Sequence, residues 1–391
     1  MSTLPVIAAP TGGGFLGNPN PVRALSQWIA PCKCGGGRGY SEGMTQPQGA
    51  LLVGSVNYDD AETTMRTAAG LLGDRLRRIP DGEVGKRFHW IMFQPDVIGQ
   101  ADGIERIGDE PIPFPAGIDA RGLRIAEGVD AASIDLPPLG YAAAAIESYG
   151  VFTRLRAESA VPAGIRFQVS LPTPLAVISS FFHGDDRAAI EPVYTAAILR
   201  ELDEILAAIP HDDLAVQWDV ASEMGIIERA AGYGAVMEAW WPGDPFDGLV
   251  SRLAALVDAV PTDVEVGVHL CYGDAGEKHF FEPTDAGNLV RYANAVVAAS
   301  ARPLTWLHLP VPIAHDDEPY FAPLADLTPV NELYLGLVHR EDGAEGAARR
   351  IAAAAPYAAT FGVATECGIG RAPAGSTEGI LRTHAEVAAA W

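Results

Sequence analysis

The chain predicts a single (β/α)₈ TIM barrel, and three observations carry that prediction. Eight short apolar runs recur along the sequence, helix-forming stretches lie between most of them, and polar residues collect at one end of nearly every run. Short buried strands alternating with helices specify a parallel sheet with right-handed crossovers. In a barrel of this kind the chemistry belongs at the C-terminal ends of the strands.

The elements follow in order. Residues 1–48 hold Gly12-Gly13-Gly14, Gly35-Gly36-Gly37 and scattered prolines with no apolar period, which predicts a flexible leader; Met44 is an alternative start for the folded unit or for translation. Cys32 and Cys34 fall in the leader and read as inert thiols, a second metal clip being the alternative. The folded unit is expected over 49–391. Its first strand is Leu51–Val56, followed by a helix over Ala61–Leu72 and a second strand at Leu76–Pro80. The gap to the third strand is too long for one crossover, so its Pro- and Gly-rich part, 92–145, is expected to be an insertion over the top of the barrel. Strand Ile165–Ser170, helix Pro192–Ala208 and strand Leu214–Asp219 come next, then a second cap over 225–245 containing Trp240 and Trp241. Helix Phe246–Val260, strand Val264–His269, helix Ala286–Ala299 and strand Leu304–Leu309 continue the alternation. Strand Leu333–Val338, helix Ala344–Ala355, strand Phe361–Thr365 and helix Ser376–Ala390 complete it.

Composition narrows the functional classes. The 391 residues are 48% hydrophobic and 20% charged, with 50 acidic against 27 basic residues and a net charge of −23. Nucleic acid and anionic membrane surfaces need a positive footprint, so neither is expected as a partner, and the acidity reads as a solvated surface. Four cysteines, two of them in Cys32-Lys-Cys34, make no disulfide framework. No apolar run approaches the roughly 20 residues of a membrane helix, and no basic-then-apolar signal opens the chain. A cytoplasmic, reducing location is expected, and a homo-oligomer is compatible with all of this.

The strand ends carry the candidate site: Gly54-Ser55, Asp81-Gly82-Glu83, Thr173, Asp219 with Glu223, His269-Leu-Cys271, His308, His339 and Cys367. His269 and Cys271 close one apolar run and Cys367 closes another. Strand alternation puts His269 and Cys271 on one side. An imidazole and two thiolates suit Zn²⁺, which takes Cys sulfur and His nitrogen in tetrahedral geometry. Asp219 and Glu223 offer anchors for a cationic group. Asp81 and Glu83 sit in a tight turn with Gly82 and Gly85, where Lys86 and Arg87 offer cations to an anionic tail.

These ends resemble the C-terminal catalytic barrel of cobalamin-independent methionine synthase, in the superfamily that also holds uroporphyrinogen decarboxylase and epoxyalkane:coenzyme M transferase. Leu52-Val-Gly54-Ser55 is similar to the family's I-G-S turn, Leu171-Pro-Thr173-Pro to G-P-V-T, and Asp219-Val-Ala-Ser-Glu223 to I-D-E-P-A. His269-Leu-Cys271-Tyr272 resembles the zinc motif H-M-C-Y, Gly336-Leu-Val-His339 the D-I-H segment, and Glu366-Cys367-Gly368-Ile369 the closing D-C-G-L. The resemblance implies a zinc-dependent methyl or alkyl transferase in which His269, Cys271 and Cys367 hold Zn²⁺. It implies Ser55, Thr173, Asp219 and Glu223 around the substrate, with His339 as proton donor and Asp219 holding the substrate amine; Asp81 and Glu83 join the substrate set on the reading of their turn alone, as two close carboxylates that bind a substrate amine or orient a ligand. The family's remaining ligand is a glutamate at the sixth strand end, where this chain offers His308, so a His₂Cys₂ set is expected. The substrates would be a small thiol and a small methyl or alkyl donor, the thiol being ionised by the metal for attack on carbon. Two other readings stay open: a metal-free decarboxylase-like lyase using the Asp81 turn with Arg77 or Arg78, and a non-catalytic zinc- or thiol-binding barrel.

Overall fold

Eight parallel strands form the sheet: β1 Ala50–Leu51, β2 Arg78–Pro80, β3 Arg166–Pro172, β4 Leu214–Val220, β5 Glu265–Leu270, β6 Trp306–Pro310, β7 Glu332–Val338 and β8 Gly362–Thr365. All eight expected strands are present in this computed structural model, which describes residues 46–232, 235–273 and 278–391. The leader through residue 45, with Cys32, Cys34 and Met44, lies outside the described residues. The ladder runs from β2 through β3 to β8 and on to β1. A bridge between Ser55 and Gly82, with the Val56 amide donating to the Gly82 carbonyl at 3.1 Å, brings β1 back beside β2. The sheet is therefore a nearly closed TIM-type barrel flanked by helices.

Seven helices pack outside: α1 Ala61–Leu72, α2 Tyr141–Ala157, α3 Asp186–Ala208, α4 Pro245–Ala259, α5 Gly287–Ala299, α6 Gly343–Ala354 and α7 Thr377–Val387. Local chemistry sets their ends. Asp60 caps α1 by accepting from the Thr63 amide at 2.7 Å, and its apolar stripe Ala61, Met65, Ala68, Ala69 and Leu72 is buried. Asp244 caps α4 in the same way with Pro245 in the first turn, where a missing N–H costs nothing. The segment after β2 holds the helix Gln94–Ile98 and two antiparallel pairs, Ile104–Arg106 with Leu123–Ile125 and Pro113–Phe114 with Ile118–Asp119. It ends where α2 supplies the crossover to β3, a helix the sequence reading did not separate from the long gap.

Strand alternation sorts the interior into layers. The lowest is ionic: Arg78 is fully buried, and its guanidinium pairs with Glu332 at 2.8 Å and Glu265 at 3.0 Å while stacking 4.2 Å from the Trp306 ring centroid. Above it sits Trp306, admitted because Gly267 on β5 has no side chain; a Cβ there would fall 1.8 Å from the indole. Gln168 and Gln217 form the next level, with both amides donating to the Val53 carbonyl. The polar strand ends follow at the mouth. Among the described residues no helix is long and apolar enough to cross a membrane.

Candidate metal centre

Strands β5 and β8 face each other across the mouth, and their last residues meet. The Cys271 and Cys367 sulfurs are 3.7 Å apart, and the Cys367 sulfur lies 3.8 Å from His269 Nε2. The three donor atoms all fall within 4.8 Å of one another. A tetrahedral zinc with Zn–S of about 2.3 Å and Zn–N of about 2.05 Å places two sulfurs about 3.8 Å apart and a sulfur and nitrogen about 3.6 Å apart. The donor set is chemically suited to such a cation, and the two distances from the Cys367 sulfur match its spacing. Cys271 is held by its strand, donating its amide to the Val220 carbonyl at 2.8 Å, and its sulfur accepts from the Gly273 amide at 3.4 Å.

The structure does not bring His308 to the sulfurs. β5 and β6 pair in register with His269 opposite His308, so both rings point into the barrel, and their Nδ1 atoms are 2.7 Å apart. His308 Nε2 lies 3.0 Å from the Thr365 carbonyl on β8. Both nitrogens of His308 are thus engaged behind His269. Burial, with His308 adding to it, pushes the His269 pKa well below the usual imidazole range; burial also brings His308 down to about 3 despite the Thr365 carbonyl. Both rings are neutral at physiological pH.

The carboxylates lie at the ends of β2 and β4, with Asp219 the register partner of His269 on the neighbouring strand. Glu223 is 3% exposed, burial lifts its carboxyl to about 7 against the Thr173 hydroxyl, and its Oε2 has no hydrogen-bond partner among the described residues. Burial, then the Glu83 carboxylate, drives Asp219 upward, while the Gln217 amide donates to it at 2.8 Å. Glu83 is itself raised, by burial against the pull of Arg87 and with Asp81 adding to it. It sits at φ 52, a backbone conformation that costs a non-glycine residue energy and that clusters at functional sites.

Three expected substrate residues have other partners. Asp81 accepts from Arg87 at 2.5 Å, from Ser148 at 2.7 Å and from the Glu83 amide at 2.9 Å. Burial opposes its charge, yet Arg87 and these donors hold it below the usual carboxylate range. Asp81 therefore builds the turn that presents Glu83, and Arg87 is spent on Asp81 rather than left for an anionic tail. Ser55 accepts from the Gly370 amide at 3.3 Å beneath the loop that follows Cys367. Gly368 and Gly370 are required there, since a Cβ at either would fall 2.3 Å and 2.8 Å from Ser55. Thr173 accepts from the Ala176 amide at 3.3 Å as an N-cap, next to Glu223.

Cys367 and His339 line one cleft of about 810 Å³, together with Lys278, His279, Arg340 and Arg371. His339 Nε2 donates to the Val311 carbonyl at 2.9 Å, and burial followed by Arg350 takes the ring to about 4. Arg78, invoked for a lyase, opens β2 in register with Arg166 at the start of β3, at the barrel end opposite the mouth. Gln217 was missed by the sequence reading, although its position two residues before Asp219 marked it as inward-facing. His279 Nε2 lies 2.9 Å from Glu366 and its Nδ1 3.1 Å from Glu282, which, against burial, raise it to about 9.

No known protein-family profile matches the chain, and no curated protein sequence does. Solved structures do. A B12-independent methionine synthase from Shewanella sp. W3-18-1, in complex with selenomethionine, superposes with a TM-score of 0.56 at 15% identity over 88% of this chain and 98% of that one. A vitamin-B12 independent methionine synthase candidate from Listeria monocytogenes gives 0.53 at 15% identity, covering 88% and 97%. The chain shares their fold.

Proposed function

We propose that this chain is a zinc-dependent methyl or alkyl transferase acting on a small thiol that carries an ammonium group. The observation that carries the reading is the convergence of His269 with the Cys271 and Cys367 sulfurs within 4.8 Å of one another, with Cys367 on the wall of an open cleft. The two structural neighbours, named as methionine synthases, support the same reaction class. Bound at these three residues, zinc would supply the Lewis acidity that ionises a thiol at neutral pH.

The chain's own residues supply the rest. Glu83, Asp219 and Glu223 form an acidic wall whose charge is unfavourable without a cation; an ammonium group on the thiol would restore it. The thiol sulfur attacks the electrophilic carbon, forming C–S while the carbon–leaving-group bond breaks with its electrons on the leaving group. The thiol proton needs an acceptor. His339, neutral and with Nε2–H committed to Val311, has Nδ1 for that purpose and returns the proton to the leaving group. This reverses the expected order, in which His339 begins as an acid. A metal-free lyase built on Arg78 loses support because that residue lies at the far end of the barrel.

The test is metal content and its response to thiol. Purified wild type is expected to hold one zinc per chain, Cys271→Ser and Cys367→Ser to lose it, and the cobalt-substituted protein to change its sulfur-to-metal charge-transfer band when an amino thiol is added. Full transferase activity in metal-free protein would sink the proposal. A metal-loaded protein indifferent to thiols would favour a storage or binding role.

A further inference from the structure

We propose that His308 is a positioning residue and not a metal ligand: it locks His269 into the tautomer whose Nε2 faces Cys367, leaving three protein donors and an open side for the substrate sulfur. The proposal rests on the metal-dependent reading above and specifies how that site is held.

Elementary hydrogen-bond rules give the assignment. A carbonyl oxygen can only accept, so His308 Nε2, 3.0 Å from the Thr365 carbonyl, carries a proton. His308 is fully buried, with no acid beside it in this contact, so the ring is neutral and its Nδ1 is a lone pair. That lone pair lies 2.7 Å from His269 Nδ1, which must therefore donate. A neutral His269 with its proton on Nδ1 has its lone pair on Nε2, the atom 3.8 Å from the Cys367 sulfur. Each proton is placed by the one before it. Metal-bound histidines ordinarily hand their second N–H to a carboxylate, carbonyl or water; here a second neutral imidazole takes it.

The same chain of bonds reaches the other ligand strand. Thr365 sits two residues before Cys367, and its hydroxyl donates to the Cys367 carbonyl at 2.7 Å. His308 thus ties the end of β5 to the end of β8, the two segments that must stay in register for one imidazole and two sulfurs to converge. To coordinate a metal through either nitrogen, His308 would have to abandon His269 or Thr365 inside a dry interior. A site with four fixed protein ligands must release one before a substrate thiol enters. This arrangement requires no such release.

A glutamine can imitate both contacts, since its side-chain oxygen accepts from His269 and its amide donates to Thr365. A leucine fills the space and does neither. The experiment titrates Co²⁺ and Zn²⁺ into full-length wild type, His308→Gln, His308→Asn and His308→Leu, with X-ray absorption on the zinc forms and circular dichroism for folding. Wild type and His308→Gln are expected to bind one ion with two sulfurs and a single imidazole. His308→Leu is expected to bind 10- to 100-fold more weakly, as loss of a partner outside the coordination sphere does, with sulfur and imidazole counts unchanged. The shorter Asn variant, able to keep one contact, falls between and covers the case in which the Leu variant does not fold. A second imidazole in wild type that is missing from all three variants overturns the proposal and leaves the metal reading intact. Gln binding as weakly as Leu overturns it too. Wild type that takes up neither ion sinks both readings.

Discussion

Glu223 gives the sharpest forecast, because its burial makes function and stability pull in opposite directions. Its carboxyl titrates near 7 in the folded protein and near 4.5 when unfolded, so the folded chain binds more protons throughout that interval. The sign follows. The stability linked to the neutral form is fully present below about pH 4.5, falls as pH rises, and is gone above about pH 7. At about 1.4 kcal/mol for each pH unit between the two values, the charged form costs roughly 3 kcal/mol at pH 8. Glu223→Gln keeps the shape and the Thr173 contact but removes the charge. Urea unfolding of metal-free protein should therefore show the variant more stable than wild type by roughly 3 kcal/mol at pH 8 and equal to it near pH 4.5. Taking the difference between the proteins cancels the contributions of Asp219 and Glu83. The kinetic arm runs the other way: KM for an amino thiol should rise at least tenfold, or about 1.4 kcal/mol, while a thiol of the same size without the amine should not distinguish the proteins. A variant that gains no stability at high pH would refute the assignment of a charge-penalised carboxylate, and equal KM changes for both thiols would refute its role as an ammonium anchor.

Other outcomes follow from single contacts. Arg78→Met strips the buried one of two arginine partners from Glu332, leaving Arg77 at 2.7 Å, so thermal unfolding should register a loss smaller than the ~3–5 kcal/mol of a buried pair broken outright, with metal stoichiometry unchanged. Gly368→Ala drives a Cβ to 2.3 Å from Ser55 Oγ, so zinc affinity measured by chelator competition should drop, and adding Ser55→Ala should restore part of it. His339→Phe should abolish turnover in a transfer assay and leave zinc content at one per chain. Because the His339 ring titrates near 4, wild-type kcat should show no inflection from this residue above about pH 5.

The barrel was legible because its signals are local. A strand buried on both faces must be an apolar run, and the order of runs and helices admits one architecture. The His/Cys/Cys cluster was legible in part: His269 and Cys271 share a face by alternation, and cysteines at the C-terminal ends of two strands of one barrel open onto the same mouth. What the sequence withheld depends on register. Whether His308 faces the metal or stands behind His269 turns on which residue of β5 sits opposite it, and that is set by pairing across 39 positions. Asp81 could not be seen as structural because one of its partners, Ser148, arrives from α2, a helix the sequence reading did not assign. Ser55 looked like a substrate contact on its motif; its engagement with Gly370 is visible only once β1 and β8 are neighbours.

The two ends of the barrel bury charge in opposite ways, and the contrast locates the function independently of any metal. At the bottom, Arg78 and Glu332 are both buried and hydrogen-bonded to each other, with Glu265 and Tyr334 filling the remaining positions. Such a cluster is complete: nothing added to it would be stabilised. At the mouth, Glu223 keeps an oxygen without a hydrogen-bond partner among the described residues, and Asp219 is met by neutral donors, the Gln217 amide and the Trp90 indole. A folded protein retains unfavourable buried carboxyls only where something else completes them. On the proposed reading the partner is a cation, the ammonium group of the substrate. Asp219 and His269 are register partners on adjacent strands, so whatever satisfies the carboxylates ends beside the sulfur pair. A substrate with a cation at one end and a nucleophilic sulfur at the other would meet both demands at once, which is how the proposed function joins the carboxylates to the His/Cys/Cys cluster.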